Sequence, residues 1–404
     1  MCVSSNLMCK QASLCGGCAL IKTPYEEQLK QKTNFVAELL APFYQGKLQV
    51  TPTALNKFYR NKIELSFTHQ PIHKEPLNKK VKRDKTIPLE FEDVLGFRQK
   101  DRWDRSVNLV DCLLFNENLP WFVFKVNHWA KQNNISFYDQ RKHTGTLRTL
   151  MMRQSFNKKG GMLVFISAQP FDTTGLVEIC KQVYPNYSVL TAINDGMSDA
   201  SPIKNLTLLD GSLIMQESLL FENGREIVFN LSPQSFFQTN TKTANLMYKK
   251  VREKVAEIKP SIIYDLYGGA GSFSLTNADL IKHSYCVECV PEAVENGKQN
   301  AITNNINNVD FYCQTTEDFL KQNKLITENS LIILDPARAG VHPDACKLLA
   351  NSGVKNILYI SCNPKTLAEN LKVLTETYKV KNAQYFDFFP NTKHIETFVE
   401  LVLK

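Results

Sequence analysis

The pattern of apolar and polar positions changes along the chain and divides it into three regions. After residue 229, short and almost uninterrupted apolar runs alternate with amphipathic stretches. Such runs are typical of parallel strands that helices bury on both faces. The predicted strands are 262–266, 284–288, 309–313, 331–334, 356–360 and 397–403. We therefore expect an α/β domain with a Rossmann-like sheet over residues 229–404.

The two preceding regions have weaker patterns. Between residues 46 and 228, strand-like runs such as 63–67 and 162–166 alternate with polar turns, which predicts a central α+β domain. Residues 1–45 contain a cluster of cysteines followed by a helical pattern of apolar positions that starts near Pro24. We expect this N-terminal region to be a small cofactor segment.

Length and composition limit the possible classes of protein. A chain of 404 residues, of which 43% are hydrophobic, can fill at least two ordinary cores. The sequence has no apolar run of about 18 residues and no N-terminal signal pattern. We therefore expect a cytoplasmic protein that does not span a membrane.

Positive charge is unevenly distributed. The formal net charge is +8 at pH 7, and basic residues cluster at 79–83 and 98–105. Such clusters bind a nucleic-acid backbone in some proteins and are solvated loops in others. The charge pattern is compatible with a nucleic-acid partner without identifying one.

A glycine-rich turn follows the first predicted strand of the C-terminal region. Residues 262–273 predict a buried strand, a turn that contains Gly268, Gly269 and Gly271, and the start of a helix. Glycines let a ligand approach the backbone closely, although such a turn can also be purely structural. Glu288, at the end of the next strand, can accept hydrogen bonds from ribose hydroxyl groups. Because the turn matches neither Gly-x-Gly-x-x-Gly nor a phosphate loop, it favours an adenosine ligand such as S-adenosylmethionine.

Polar groups also follow or precede three other predicted strands. Asp335 follows 331–334, and Cys362 comes directly after another apolar run. Ligands bind at the carboxyl edge of such sheets, so these two side chains should lie close together there. A free cysteine is most often a small buried hydrophobe, but the Asn-Pro turn after Cys362 favours a position at a cleft, where a thiolate can act as a nucleophile. Glu396, before the last strand, can act as a general base.

Five segments resemble, in order and spacing, those of bacterial RNA uracil-C5 methyltransferases, especially the iron–sulfur branch that acts on 23S ribosomal RNA. These segments are 232–240, 262–273, 335–340, 361–364 and 389–396. The resemblance covers the C-terminal half of the chain, and the cysteine cluster extends it to the N-terminus.

This resemblance implies an S-adenosylmethionine-dependent methyltransferase domain that modifies C5 of a uridine in 23S ribosomal RNA, with the target base extruded from the RNA. It implies that Cys362 attacks C6 of the uracil and that Glu396 later removes the C5 proton. The residues expected to line the cofactor and base pocket are Gln238, Tyr267, Glu288 and Asp335. Transfer RNA, modified in its T loop, is the alternative substrate. A non-catalytic iron–sulfur RNA-binding protein is the alternative function.

The cysteines fall into two groups. Eleven cysteines without a secretion signal argue against a disulfide framework. Cys9, Cys15 and Cys18 are spaced like ligands of zinc or of an iron–sulfur cluster, and either metal centre needs a fourth ligand. The resemblance implies Cys112 as that ligand and favours a [4Fe–4S] cluster. Five other cysteines are predicted to be core filler: Cys180, Cys286, Cys289, Cys313 and Cys346.

We expect a monomer that binds RNA through its central domain.

Overall fold

The C-terminal half alternates strands and helices as predicted, and these elements are seen in a computed structural model. The structure describes residues 9–72, 90–199, 202–323 and 325–404. The predicted basic cluster at 79–83 lies outside the described residues.

The strands, in chain order, are β1 (Gln49–Thr51), β2 (Lys62–Pro71), β3 (Phe91–Arg98), β4 (Ser106–Asn108), β5 (Leu147–Gln154), β6 (Gly161–Ser167), β7 (Tyr187–Ile193), β8 (Lys204–Asp210), β9 (Met215–Leu220), β10 (Glu226–Leu231), β11 (Ile262–Leu266), β12 (His283–Glu288), β13 (Val309–Cys313), β14 (Ser330–Leu334), β15 (Asn356–Ser361), β16 (Tyr378–Phe386) and β17 (Glu396–Leu403). The helices are α1 (Tyr25–Leu40), α2 (Leu119–Gln132), α3 (Leu176–Val183), α4 (Thr241–Ile258), α5 (Ser272–Asn277), α6 (Pro291–Thr303), α7 (Thr316–Gln322), α8 (Pro343–Ala350) and α9 (Pro364–Leu374).

The C-terminal sheet has the order β1-β16-β17-β15-β14-β11-β12-β13. All six predicted strands are present in it. The apolar runs of β11, β14, β15 and β17 are largely buried, whereas the edge strand β13 is partly exposed. Strand β16 was not predicted, since Lys379 and Lys381 interrupt its apolar run. Strand β1, which falls within the predicted central domain, pairs with β16 in this sheet instead.

The central sheet has the order β4-β3-β2-β5-β6-β7-β8, and only the pairing of β6 with β7 is parallel among its strands. Side chains of β6 alternate between two cores. Val164 packs in a core shared with β10, α4 and β11, whereas Phe165 packs in a core shared with α2 and α3. This alternation is the period-two pattern of a strand whose two faces are both covered.

None of the helices in the described part of the chain is long and apolar enough to cross a lipid bilayer.

A buried ion pair fastens α1 to the C-terminal sheet. Lys32 Nζ lies 2.6 Å from Asp387 Oδ1, and the two side chains are 3% and 0% exposed. Lys32 also donates to the carbonyl oxygen of Phe389, and the Tyr25 hydroxyl donates to the other oxygen of Asp387. Burial lowers the pKa of Lys32, and the charge of Asp387 opposes this shift. The pair therefore fixes the start of the segment that leads from β16 to β17.

We predict that Asp387→Asn lowers the free energy of unfolding by about 3–5 kcal/mol, because Lys32 is left buried without a counter-charge. Urea-induced unfolding, followed by circular dichroism, measures the change. Glu369→Gln is the matched control, since Glu369 pairs with Lys372 while the side chains are 68% and 62% exposed. The control should change stability by less than about 1 kcal/mol. Equal effects of the two substitutions would contradict the assigned role of the buried pair.

Candidate active site

A cleft of about 540 Å³ opens at the carboxyl edge of the C-terminal sheet. Six residues that the sequence predicted as site residues all line it: Gln238, Tyr267, Glu288, Asp335, Cys362 and Glu396. They come from separate parts of the chain, and the sheet brings them together. Their chemical roles remain predictions at this point.

Strand direction explains how Cys362 and Glu396 meet. Strand β15 ends at Ser361, which pairs with Thr397 in the antiparallel ladder of β15 and β17. Cys362 follows the end of β15, and Glu396 is the first residue of β17. Because β17 runs antiparallel to β15, its first residue lies at the edge where the parallel strands end. The reversed final strand thus places a carboxyl group beside the cysteine.

The glycine-rich turn leaves the backbone open on the other side of the cleft. A Cβ atom on Gly268 would lie 2.5 Å from the sulfur of Cys286, so this position has no room for a side chain. Gly269 has a positive φ of 56° and open space around its missing Cβ. Glu288 accepts hydrogen bonds from the backbone N–H of Gly269 at 3.1 Å and of Val290 at 2.9 Å. An open backbone beside a fixed carboxylate suits the ribose of an adenosine ligand.

Gln238 lies on a segment that the central domain holds. The side-chain amide of Asn61 donates to the backbone oxygen of Gln238 at 2.8 Å. The Arg153 guanidinium, which is 1% exposed, donates to the backbone oxygens of Ser232 and Ser235. The predicted segment 232–240 therefore forms one wall of the cleft, supported by Asn61, just before β2, and by Arg153 on β5.

Three carboxyl groups near the cleft are poorly solvated. Burial raises the pKa of Glu396 well above its ordinary value, and the charge of Asp335 adds to the shift. Desolvation raises the pKa of Asp335 to about 7, with repulsion from Asp265 as the second cause. Burial likewise raises the pKa of Asp265 to about 7. One oxygen each of Glu396 and Asp265 has no hydrogen-bond partner among the described residues. The surroundings therefore favour the neutral, protonated form of these carboxyl groups unless a positively charged ligand binds in the cleft.

The same surroundings act on the predicted nucleophile. Burial raises the pKa of Cys362 to about 11, the carboxyl groups of Glu396 and Asp335 add to the shift, and Arg338 opposes it. Cys362 is therefore a thiol in the free protein at neutral pH. Its use as a nucleophile requires additional positive charge or the removal of its proton.

Arg338, Phe389 and His394 also line the cleft, although they were not predicted as site residues. Arg338 Nη2 lies 2.9 Å from His394 Nδ1. Partial burial and the charge of Arg338 lower the pKa of His394. The ring of Phe389 meets His394 edge to face, with centroids 5.9 Å apart. All three residues lie in the family-like segments 335–340 and 389–396. Their position in those segments is the sequence feature from which they could have been predicted as cleft residues.

The four predicted metal ligands lie in one region. The backbone of Cys15 forms an isolated antiparallel β-bridge with Gln99. The Cys9 thiol donates a hydrogen bond to Asp111, the neighbour of Cys112. Burial raises the pKa of Cys18 to about 12, and the charges of the other three cysteines add to the shift. Over the described ranges, no three histidine, cysteine or acidic side chains are close enough to hold a single metal ion. The metal role of these cysteines stays a prediction.

The prediction of core filler is correct for three cysteines and wrong for two. Cys180, Cys286 and Cys346 are buried, whereas Cys289 and Cys313 are exposed. Cys313 ends β13, which is the outermost strand of the sheet, and Cys289 follows the end of β12. An apolar run in sequence does not reveal which strand lies at the edge of a sheet.

The basic stretch 98–105 is partly neutralised. Arg98 Nη2 lies 2.8 Å from Asp199, and Arg102 Nε lies 3.0 Å from Asp104. These arginines therefore have acidic partners within the protein, which reduces the charge that they can offer to RNA.

Comparisons with known proteins agree with this geometry. The sequence profile of the tRNA (uracil-5-)-methyltransferase family matches residues 204–404. An RNA methyltransferase of Bacteroides thetaiotaomicron is 31% identical, over 98% of this chain and 87% of the relative. An RNA methyltransferase of Clostridium tetani is 32% identical, over 97% of this chain and 83% of the relative.

A solved structure is also similar. It is the tRNA (uracil-54, C5)-methyltransferase of Pyrococcus abyssi in complex with S-adenosyl-L-homocysteine, with a TM-score of 0.74, 24% identity, and coverage of 96% of this chain and 86% of that chain. This likeness supports the fold of an S-adenosylmethionine-dependent methyltransferase. The family profile and the two relatives show that the chain belongs to the RNA uracil-C5 methyltransferase family and is an S-adenosylmethionine-dependent enzyme.

Proposed function

We propose that this enzyme methylates C5 of one uridine in 23S ribosomal RNA through a covalent bond between Cys362 and C6 of the base. The observation that carries the proposal is the order of groups along the sheet edge. Glu288 ends β12, Asp335 follows β14, Cys362 follows β15, and Glu396 begins β17. Adjacent strands are about 4.8 Å apart, so Glu288 and Cys362 lie about 14 Å apart across the cleft.

This separation suits a cofactor that lies along the sheet edge, between the carboxylate proposed to bind its ribose and the target base. Glu288 is proposed to accept hydrogen bonds from the ribose hydroxyls, with Tyr267 and Gln238 lining the same pocket. S-adenosylmethionine, when bound, supplies a methyl group on a positively charged sulfur. Asp335, between the two ends of the cleft, provides negative charge near that sulfur.

The proposed reaction uses Cys362 first. Its proton passes to solvent, and the thiolate attacks C6 of the uracil, which moves the electrons of the C5–C6 double bond onto the C4 carbonyl oxygen. C5 of this enolate then takes the methyl group. Glu396 removes the remaining C5 proton, the C5–C6 double bond re-forms, and the bond between C6 and sulfur breaks. Arg338 lowers the pKa values of Cys362 and Glu396 and so favours their ionised forms.

Ribosomal RNA is proposed as the substrate because the motif at Asp335–Arg338 and the cysteine cluster resemble the branch that modifies it. Transfer RNA is the second candidate. It is favoured by the name of the matching family and by the transfer-RNA substrate of the Pyrococcus abyssi enzyme. A non-catalytic RNA-binding protein is no longer supported, since the chain belongs to a family of enzymes.

We also propose that Cys9, Cys15, Cys18 and Cys112 hold a [4Fe–4S] cluster. All four are free thiols in one region. The thiolates of a tetrahedral zinc site lie about 3.8 Å apart, since each binds the same ion at about 2.3 Å. Cluster thiolates bind different irons and therefore lie farther apart than zinc thiolates. The cluster would tie the N-terminal loop to the central domain, while the methyl transfer uses no electron from it.

The remaining expectations stay predictions. They are the domain boundaries at residues 45 and 228, RNA binding by the central domain, the monomeric state and the cytoplasmic location.

The substrate is tested by mass mapping of RNA from a strain that lacks the gene. We expect one 5-methyluridine to be missing from 23S ribosomal RNA and to return when the purified enzyme and S-adenosylmethionine are added. A loss from the T loop of transfer RNA, with ribosomal RNA unchanged, would instead identify the second candidate.

The catalytic pair is tested by two variants that fail at different steps. Cys362→Ala removes the nucleophile, so neither an adduct nor methylated RNA should form. Glu396→Gln retains attack and methyl transfer but lacks the base, so methylated RNA should accumulate on Cys362 as a denaturant-resistant complex. Denaturing gels and mass spectrometry of the Cys362 peptide detect the complex. Glu369→Gln, which changes an exposed side chain that does not line the cleft, should turn over normally. Normal turnover of either active-site variant would show that its assigned role is wrong.

The cluster is tested by anaerobic purification. We expect a brown protein with about four irons per chain, because four thiolates match a cubane cluster. Cys15→Ser should lose iron and melt at a lower temperature, since the cluster joins distant segments. Cys313→Ser is the matched control and should retain both properties. Stoichiometric zinc without iron would refute the cluster assignment.

A further inference from the structure

Two exposed thiols lie beside the proposed ribose-binding carboxylate. Cys289 and Cys313 are both exposed and free. The Cys289 thiol donates to Glu288 Oε1 at 3.5 Å, and the Cys313 sulfur lies 4.0 Å from the carbonyl oxygen of Cys289. Neither thiol has a role in the proposed methyl transfer.

Strand register sets the distance between these cysteines. Glu288 pairs with Cys313 in the parallel ladder of β12 and β13, and Cys289 is the next residue. A strand spacing of about 4.8 Å and a rise of about 3.3 Å place the two Cα atoms about 6 Å apart. Disulfides span Cα separations of about 4.4–6.8 Å. The backbone can therefore accommodate a disulfide here without a large movement, once the Cys289 side chain turns away from Glu288.

We propose that Cys289 and Cys313 form a reversible disulfide when a peroxide oxidises them, and that this bond weakens cofactor binding. The inference rests on the proposed role of Glu288 in the cofactor site. It identifies a modification site that is separate from the reacting thiol of Cys362.

The oxidation uses one peroxide for each disulfide. One thiolate attacks an oxygen of hydrogen peroxide, which breaks the O–O bond and gives a sulfenic acid and hydroxide. The second thiolate attacks that sulfur and displaces a second hydroxide, so the S–S bond forms. The two protons released by the thiols convert the hydroxides into two water molecules. A thiol reductant reverses the reaction by exchange.

The disulfide affects Glu288 through the next two residues of the chain, Cys289 and Val290. It removes the thiol hydrogen bond from Cys289 to Glu288 and ties residue 289 to β13. Val290, on the other side of Cys289, lines the cleft and donates its backbone N–H to the same carboxylate oxygen. Moving residue 289 toward Cys313 therefore displaces a hydrogen-bond donor of the carboxylate that holds the ribose.

The test uses the full chain with Cys362→Ala, so that the reacting thiol cannot be oxidised. Reduced protein is titrated with S-adenosylhomocysteine by calorimetry, treated with hydrogen peroxide, and titrated again. We expect binding to weaken about tenfold, within the usual range of coupling between sites, and to recover with dithiothreitol. Mass spectrometry of non-reduced peptides should show Cys289 linked to Cys313.

Cys313→Ser in the same background is the matched control, since it keeps the fold and removes one partner. Its binding should be the same before and after peroxide, whereas damage to the proposed cluster would affect both proteins alike. The proposal is overturned by unlinked peptides, by a linked protein with unchanged affinity, or by an equal loss in Cys313→Ser. A reduced protein that fails to bind S-adenosylhomocysteine would refute the proposed cofactor site itself, before any peroxide is added.

Discussion

The active-site cleft depends on one physical constraint: carboxyl groups are buried at the carboxyl edge of the C-terminal sheet. Asp265 and Glu396 are 0% and 2% exposed, and Asp335 lies between them, directly after β14. Ionised carboxylates in such surroundings are costly unless a cation is close. Arg338 is a nearby cation that opposes the pKa shift of Glu396. The remaining demand for positive charge suits a sulfonium ligand.

The rest of the fold holds this edge in place. Strand β17 carries Glu396 to the edge because it runs against its neighbours, and the segment before it is fastened by the pair of Lys32 and Asp387. The wall at 232–240 is held through Asn61 and Arg153 of the central sheet. The central domain and the N-terminal helix therefore both contribute to the position of the cleft residues, even though the residues proposed for chemistry all come from the C-terminal sequence.

The sequence predicts those parts of the fold whose cause is local. The six strands with mostly apolar runs were found, because a strand that is largely buried, as β14 and β15 are, leaves a clear apolar pattern. Strand β16, with alternating lysines, was missed. The contact of Lys32 with Asp387 joins residues far apart in sequence, and no local sequence pattern predicts it. The exposure of Cys289 and Cys313 depends on strand order, which is a property of the assembled sheet.

The motifs in the sequence predicted that six residues would lie together at the carboxyl edge, where they do line one cleft, but their roles stay predictions and the electrostatics of the cleft were not predicted. In the proposed reaction this electrostatic environment changes at a useful moment. While a positively charged ligand occupies the cleft, it favours the ionised form of Glu396. Transfer of the methyl group removes that charge, so the proton affinity of Glu396 rises toward the high value set by burial. In the proposed reaction, Glu396 would therefore be ionised before the transfer and would become a stronger base when the C5 proton has to be removed.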